Sequence, residues 1–172
     1  MKNHMSKIRP AVPEDAQTIA AINTVCWQTA YRGLFPDDAL DALSVTDKRV
    51  EHFANDILVC EIYLVAENKT GVAGYLSGGK ARAATLPYAY EIYTLYIHPN
   101  FQGQGIGTAL MKAFQEKIKN APFYVYTLDG NTKAIRFYQK RGGLLHPQFN
   151  KEGIAYGYTF NEVFLGFEKG IQ

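Results

Sequence analysis

The sequence predicts a mixed α/β fold, and two observations predict it. The chain has 172 residues, of which 47% are hydrophobic and 20% charged, a balance typical of one globular domain with a well-developed core. Segments with the alternating pattern of strands are interleaved with segments of helical periodicity, and no internal repeat or low-complexity linker divides them. We therefore expect one domain over residues 5–172, and we interpret residues 1–4 as a cloning scar.

The first half of the chain predicts a short strand, three helices and a hairpin. Pro13 and the two acidic residues after it mark a helix start, because proline and acidic side chains suit the first turn of a helix. The hairpin is predicted from two segments rich in β-branched and aromatic residues that flank a turn. The predicted elements are the strand Lys7–Ala11, the helices Pro13–Gly33, Pro36–Leu43 and Asp47–Leu58, and the hairpin strands Glu61–Glu67 and Val72–Gly79.

The segment Tyr88–Ile97 predicts the central strand of the sheet. Its residues alternate between two largely apolar faces, with Glu91 as the exception, which indicates layers packed on both sides. His98-Pro99 should end the strand, since proline cannot donate to the hydrogen-bond ladder. The rest of the chain predicts the helix Thr108–Asn120, the strand Phe123–Leu128, the helix Asn131–Arg141 and two further strands within Leu144–Glu168.

A glycine-rich turn, Gln102–Gly107, lies between the central strand and the next helix. Gly103, Gly105 and Gly107 lack the side chains that would keep a ligand away from the backbone. The first turn of a helix also presents N–H groups and a partial positive charge, so the turn can bind an anion. Its spacing matches neither the dinucleotide fingerprint nor the P-loop. Taken alone, the turn can also be interpreted as a plain glycine-rich connection.

Several segments together resemble the GNAT superfamily of N-acetyltransferases. The strand end and the turn are similar to that family's acetyl-CoA signature, in which Gln/Arg-x-x-Gly-x-Gly/Ala follows the central strand. The matching segments are Leu95–Pro99 and Gln102–Gly107 for this signature, Ile8–Ala11 and Glu14–Ala16 for the first strand and helix, Trp27–Leu34 for the end of that helix, and Asn131–Gly142 for a second cofactor motif. The resemblance implies a GNAT-type central mixed, mostly antiparallel sheet of about six or seven strands, flanked by helices.

The resemblance also implies an activity, the transfer of the acetyl group of acetyl-CoA to a primary amine of a small molecule or peptide by direct attack in a ternary complex. A non-catalytic module that senses acyl-CoA is the alternative. Acetyl-CoA is expected to contact main-chain groups at the strand end, the glycine-rich turn and the second motif. The expected cofactor-binding residues are Leu95, Tyr96, Ile97, Gln102, Gly103, Gln104, Gly105, Ile106, Gly107, Thr108, Asn131, Lys133, Ala134, Phe137 and Tyr138.

Glu91 and Tyr138 are the expected catalytic residues. In the histone-acetylating branch of the family, a glutamate at the place of Glu91 acts as general base, and partial burial can raise the pKa of a carboxyl group toward neutrality. The alternative is a solvated or ion-paired carboxylate at the strand end, facing Lys80 or Arg82. Tyr138 stays protonated at neutral pH and can donate to the departing thiolate, as the resemblance implies. The alternative for Tyr138 is a core aromatic, and its neighbour Phe137 points about 100° away on the helix.

Two further groups of residues follow from the resemblance. Asn131 suits the N-cap of a helix and, in the family, bonds the pantetheine arm; Lys133 and Arg136 could meet the nucleotide phosphates. Aromatic side chains could hold the acceptor amine by cation–π attraction, although each could equally belong to the core. The expected acceptor residues are Trp27, Tyr31 and Tyr93, and the same regions also carry Phe35, Tyr156 and Tyr158.

Composition and charge bear on partners and location. The net charge of +2 argues against a nucleic-acid binder, and no apolar run approaches the roughly 20 residues of a membrane span. The two cysteines, Cys26 and Cys60, form no CxxC pair, and no His/Cys cluster has the spacing of metal ligands. We therefore expect a cytoplasmic enzyme without a metal, a nucleic-acid partner or a membrane partner. The C-terminal strands could pair across a homodimer. The sequence does not identify the acceptor amine.

Overall fold

The computed structural model describes residues 6–172. The expected domain start and the interpretation of residues 1–4 lie outside this range, and the single domain stays a prediction. The helices are α1 Ala16–Ala30, α2 Asp37–Asp41, α3 Asp47–Val59, α4 Ile106–Lys117 and α5 Thr132–Gln139. The strands are β1 Lys7–Pro10, β2 Ile62–Asn68, β3 Gly71–Lys80, β4 Tyr90–Ile97, β5 Phe123–Leu128, β6 Leu144–Leu145, β7 Lys151–Ala155 and β8 Tyr158–Phe167.

The strands form one eight-stranded sheet in the order β1-β2-β3-β4-β5-β8-β6, and β7 also pairs with β8. The pairs β1–β2, β2–β3, β5–β8, β6–β8 and β7–β8 are antiparallel, whereas β4 runs parallel to β5. The predicted class, a mixed and mostly antiparallel sheet flanked by helices, is therefore confirmed. The sheet has more strands than the resemblance implied, because the C-terminal region contributes three.

The chain divides into two compact units. One runs up to Gly78 and includes Thr94–Phe114, and the other consists of Gly79–Tyr93 and Gln115–Gln172. Both β3 and β4 contribute residues to each unit, because the divisions fall within these two strands. Each unit has its own cluster of buried side chains.

The core of the first unit lies between α1, α3 and the strands β2 and β3. Apolar side chains at helical spacing on α1 meet a shorter apolar stripe on α3. The buried members are Ala16, Ile19, Ala20, Ile22, Cys26, Phe53, Ile57, Tyr63, Val65 and Tyr75. Arg9 of β1 donates to both carboxylate oxygens of Asp15, at 2.7 and 2.9 Å, and to Glu67 of β2 at 3.0 Å. These bonds fix the start of α1 against the edge of the sheet.

Aromatic rings form the core of the second unit. Tyr124 of β5 stacks on Phe164 of β8 with ring centroids 4.8 Å apart, and Tyr88 packs on both rings at 5.9 and 5.3 Å. A Cβ atom at Gly166 would lie 2.1 Å from the hydroxyl of Tyr88. Glycine at this position is therefore what lets Tyr88 reach the sheet.

The C-terminal region differs from its prediction. Two strands were expected within Leu144–Glu168, but the structure has three, namely the two-residue strand β6 and the hairpin strands β7 and β8. The two turn residues of this hairpin, Tyr156 and Gly157, have φ of 51° and 81°, as a two-residue hairpin turn requires. The prediction gave no bounds for the two strands, and a strand of two residues such as Leu144–Leu145 is too short to show an alternating pattern.

The helix after the glycine-rich turn is also displaced. It was expected over Thr108–Asn120 and spans Ile106–Lys117. Lys119 and Asn120 have φ of 54° and 58°, and this left-handed conformation ends a helix. The other predicted elements agree with the structure to within three residues at either end.

Candidate functional site

The glycine-rich turn adopts a backbone that few other residues tolerate. Gly103 and Gly105 have φ of 77° and 80°, in the left-handed region that favours glycine. A Cβ atom at either position would meet no atom beyond its chain neighbours within 4 Å, so the space beside the turn is open. α4 begins within the segment predicted as the turn, at Ile106, directly after Gly105. An open concave backbone at a helix N-terminus suits an anionic group such as a pyrophosphate.

Two glutamine side chains brace this turn from the side of the preceding strand. The amide of Gln102 donates to the carbonyl oxygen of Ile97 at 3.0 Å, and the amide of Gln104 donates to the carbonyl oxygen of Asn100 at 3.3 Å. The ring of His98 accepts from the N–H of Asn100 at 3.2 Å. The turn is thus held to the end of β4 by its own side chains, and its main chain carries the anion-binding geometry.

The end of β4 holds the main-chain groups that were expected to contact the cofactor. The parallel register with β5 covers Tyr90–Ile92, while β4 continues to Ile97. Leu95–Ile97 is half-buried. The thiol of Cys26 on α1 lies 3.2 Å from the carbonyl oxygen of Ile97 and donates to it. The conformation of this strand end is therefore set partly by α1.

Glu91 is buried, with 1% of its surface exposed, and is hydrogen-bonded on both carboxylate oxygens. Arg82 donates to Oε2 through its backbone N–H at 3.2 Å and through Nε at 3.1 Å, and to Oε1 through Nη2. The hydroxyl of Tyr124 donates to Oε2 at 2.8 Å. The pairing with Arg82 was one of the two interpretations of Glu91, and this contact is present.

The electrostatics of Glu91 follow from these partners. Burial alone would raise the pKa of Glu91, but the hydrogen bonds and positive charge of Arg82, with the hydroxyl of Tyr124, outweigh it and lower the pKa. In turn, the hydrogen bonds to Glu91 raise the pKa of Arg82. A general base for an amine works best with a pKa raised toward neutrality. The shift at Glu91 is in the opposite direction, which favours the interpretation as an ion pair.

Arg82 itself was considered only as a partner for Glu91, yet the structure gives it the features of a binding group. Its guanidinium carbon lies 4.5 Å from the centre of the Tyr93 ring, and the hydroxyl of Tyr93 donates to the carbonyl oxygen of Lys80 at 2.6 Å. The side chain of Arg82 is nevertheless 61% exposed. A guanidinium that is fixed on one edge and on one face, but open to solvent, can receive an anion.

The second motif forms α5 as expected. Asn131 caps the helix, since its side-chain oxygen accepts from the N–H of Ala134 at 3.2 Å. Tyr138 is 6% exposed and packs edge-on against Phe167 with centroids 6.3 Å apart. Phe137 is half-buried beneath the guanidinium of Arg141, which lies 3.7 Å from the ring centre. The rings of these two neighbouring aromatics contact each other edge-to-face, with centroids 5.2 Å apart. Lys133 and Arg136 are exposed on the same helix.

The aromatic side chains expected at the acceptor pocket fall into separate groups. Trp27 and Tyr31 contact each other edge-to-face at 4.7 Å, and the hydroxyl of Tyr31 lies 3.1 Å from that of Tyr96 within the first unit. Tyr93 belongs to the second unit, beneath Arg82. Of the other aromatic side chains in these regions, Phe35 is buried, whereas Tyr156 and Tyr158 are exposed on the C-terminal hairpin.

No group of three or more His, Cys, Asp or Glu side chains within residues 6–172 could hold a metal ion. None of the helices in the described part of the chain has the length and apolar character to cross a membrane.

The chain is similar in sequence to known acetyltransferases. The model of the acetyltransferase (GNAT) family matches residues 20–143. The uncharacterized N-acetyltransferase YuaI of Bacillus subtilis is 30% identical over 95% of this chain and 93% of its own. The L-amino acid N-acyltransferase MnaT of Escherichia coli is 26% identical over 92% of this chain and 91% of its own. The L-methionine sulfoximine/L-methionine sulfone acetyltransferase of Salmonella typhimurium is 26% identical over 70% and 72%.

Solved structures share the fold at lower sequence identity. A GCN5-related N-acetyltransferase from Rhodopseudomonas palustris gives a TM-score of 0.76 at 22% identity, covering 95% of this chain and 96% of that one. The paiA N-acetyltransferase of Thermoplasma acidophilum, in complex with coenzyme A, gives 0.72 at 17% identity, covering 94% and 98%. The yncA acetyltransferase of Salmonella typhimurium, with its cofactor acetyl-CoA, gives 0.67 at 21% identity, covering 95% and 93%.

Proposed function

Because the chain belongs to the acetyltransferase (GNAT) family, we propose that it transfers the acetyl group of acetyl-CoA to the primary amine of a small molecule that also carries a carboxylate, such as an amino acid. The chain is an acyltransferase, and acetyl-CoA is the co-substrate that supplies the acetyl group. The class of acceptor is the new part of the proposal. One observation carries it, the exposed but fixed guanidinium of Arg82.

The glycine-rich turn and the first turn of α4 hold the pyrophosphate of the cofactor through main-chain N–H groups. The positive φ angles of Gly103 and Gly105 and the open space beside them support this assignment. Main-chain groups at the end of β4 and side chains of α5 hold the rest of the cofactor. The residues assigned to these two parts are Leu95, Tyr96, Ile97, Asn131, Lys133, Ala134, Arg136, Phe137 and Tyr138.

Arg82 binds the carboxylate of the acceptor. Glu91 accepts hydrogen bonds from Nε and Nη2 of the guanidinium. The third nitrogen, Nη1, takes no part in the pair with Glu91. A planar guanidinium recognises carboxylates through one of its edges, and a guanidinium that is already held in place loses less conformational entropy on binding. Two relatives, by their names, act on amino acids or amino acid derivatives. Glu91 then acts as the residue that positions Arg82.

The acceptor class is tested with matched pairs of amines. The wild-type chain is incubated with acetyl-CoA and either an L-amino acid or the amine left after removal of its carboxylate, and thiol release and the acetylated product are measured. We expect kcat/KM for the amino acid to be about tenfold higher or more, because a hydrogen-bonded charge pair contributes about 1.5–3 kcal/mol. Equal or higher kcat/KM for the decarboxylated amines would refute a carboxylate-bearing acceptor without affecting acetyl transfer itself.

Tyr138 donates a proton or hydrogen bond to the departing thiolate in this proposal. Replacing it with phenylalanine keeps the buried ring and removes the hydroxyl, so we expect kcat to fall about tenfold while the affinity for coenzyme A stays near wild type. Steady-state kinetics and a coenzyme A titration measure the two quantities, and thermal unfolding checks the fold. Unchanged kcat in this variant would instead assign Tyr138 to the core, where it packs against Phe167.

A further inference from the structure

The end of α1 contacts the end of β4 within the first unit. The thiol of Cys26 donates to the main-chain carbonyl of Ile97 at 3.2 Å. The hydroxyl of Tyr31, just past the helix, lies 3.1 Å from the hydroxyl of Tyr96. The indole of Trp27 packs edge-on against the ring of Tyr31, with centroids 4.7 Å apart. We call this set of contacts the α1–β4 clamp.

The hydroxyl of Tyr96 is the centre of the clamp. Although Tyr96 is half-buried as a residue, its hydroxyl lies in the interior, where desolvation raises its pKa well above the usual range. The neutral hydroxyl is hydrogen-bonded to the hydroxyl of Tyr31, and either oxygen can be the donor. A buried hydroxyl with such a partner has a narrow range of positions, because displacement would leave polar groups unpaired.

Contacts with the neighbouring strand β3 also restrict the position of the end of β4. A Cβ atom at Gly74 of β3 would lie 2.5 Å from the Ile97 side chain and 2.8 Å from the carbonyl oxygen of Tyr96. The N–H of His98 also donates to the carbonyl oxygen of Ala73 at 2.9 Å. β3 therefore packs directly on the backbone of Tyr96 and Ile97. The α1–β4 clamp contacts the same two residues from α1.

We infer that Tyr31, with the Trp27 ring packed against it, is a positioning residue for the cofactor that acts through Tyr96, and that neither side chain is a wall of the acceptor pocket. The inference rests on the proposed function, in which main-chain groups of Leu95–Ile97 hold part of the cofactor. The clamp sets the position of this strand end before the cofactor binds, so that binding does not have to order it. Acceptor recognition is left to other residues, Arg82 among them.

The test is a double-mutant cycle of Tyr31→Phe and Tyr96→Phe, read by direct titration with coenzyme A. Each substitution keeps the ring and removes one hydroxyl of the bonded pair. We expect each single variant to bind coenzyme A about threefold to tenfold more weakly, and the double variant to lose little more than either, since both remove the same contact. The KM for the acceptor, at saturating acetyl-CoA, should stay at the wild-type value in all three variants.

Tyr63→Phe is the matched control. Tyr63 belongs to the same buried cluster and stacks on Tyr75 at 5.9 Å, but it is not part of the clamp. Wild-type affinity for coenzyme A in both clamp variants would overturn the inference, as would an equal loss of affinity in Tyr63→Phe. A change confined to the KM of the acceptor would return Tyr31 to the acceptor pocket. A wild-type chain that does not bind coenzyme A would overturn the cofactor assignment and the inference together.

Discussion

Replacing Gly105 with alanine is expected to weaken coenzyme A binding by about tenfold to 100-fold. The φ of 80° at this residue costs an alanine roughly 1–2 kcal/mol, and the added Cβ atom points into the open space assigned to the pyrophosphate. Loss of one hydrogen bond from a main-chain N–H to a charged oxygen costs about 1.5–3 kcal/mol, which corresponds to this range of affinity. Titration with coenzyme A at fixed ionic strength measures the effect.

Gly157→Ala separates binding from backbone strain. Gly157 has nearly the same φ, 81°, and likewise no neighbouring atom within 4 Å of a Cβ, but it lies in the turn of the C-terminal hairpin. Both variants should lose similar amounts of thermal stability, whereas only Gly105→Ala should lose affinity. If the two variants bind coenzyme A equally well, the glycine-rich turn is not the pyrophosphate site.

The features that were predictable from the sequence are those that local chemistry determines. The glycine-rich turn was found because a left-handed backbone needs glycine at Gly103 and Gly105 wherever the turn lies in the fold. The N-cap role of Asn131 was found for the same reason, since its partner is the N–H of Ala134, three residues along the chain. Neither prediction needed knowledge of the tertiary structure.

The features that were missed or left open depend on residues distant in sequence. Glu91 was interpreted as either a base or an ion-paired carboxylate, and its second partner, Tyr124, is 33 residues away. Tyr31 was placed in the acceptor pocket as an aromatic side chain, but its hydroxyl bonds Tyr96, 65 residues away. Periodicity shows which face of an element a residue occupies, not which side chain it meets there.

Replacing Arg82 with methionine is expected to lower kcat/KM for an amino acid acceptor by about tenfold to 100-fold. The substitution keeps an unbranched side chain that can lie over Tyr93 and removes the charge that binds the carboxylate, so the loss is that of a charge-assisted hydrogen-bonded pair. The substitution also leaves the buried Glu91 without its charged partner, so thermal unfolding first checks the fold. The folded variant should acetylate the decarboxylated amine at the wild-type rate. Arg32→Met is the matched control, since Arg32 is an exposed arginine bonded to a carboxylate, that of Asp41, at 2.7 Å.

Glu91→Gln distinguishes the positioning role of Glu91 from a role as general base. Glutamine can still accept a hydrogen bond from Arg82 but carries no charge. We therefore expect kcat/KM to fall less than in Arg82→Met, by about threefold to tenfold, and only for acceptors with a carboxylate. The lowered pKa means that Glu91 stays ionised at neutral pH, and its ion pair is lost only as the pH falls through that lowered value. Because the attacking amine must lose a proton, we expect kcat to rise with pH near neutrality. This rise should persist in Glu91→Gln, and a flattened rise would identify Glu91 as the base.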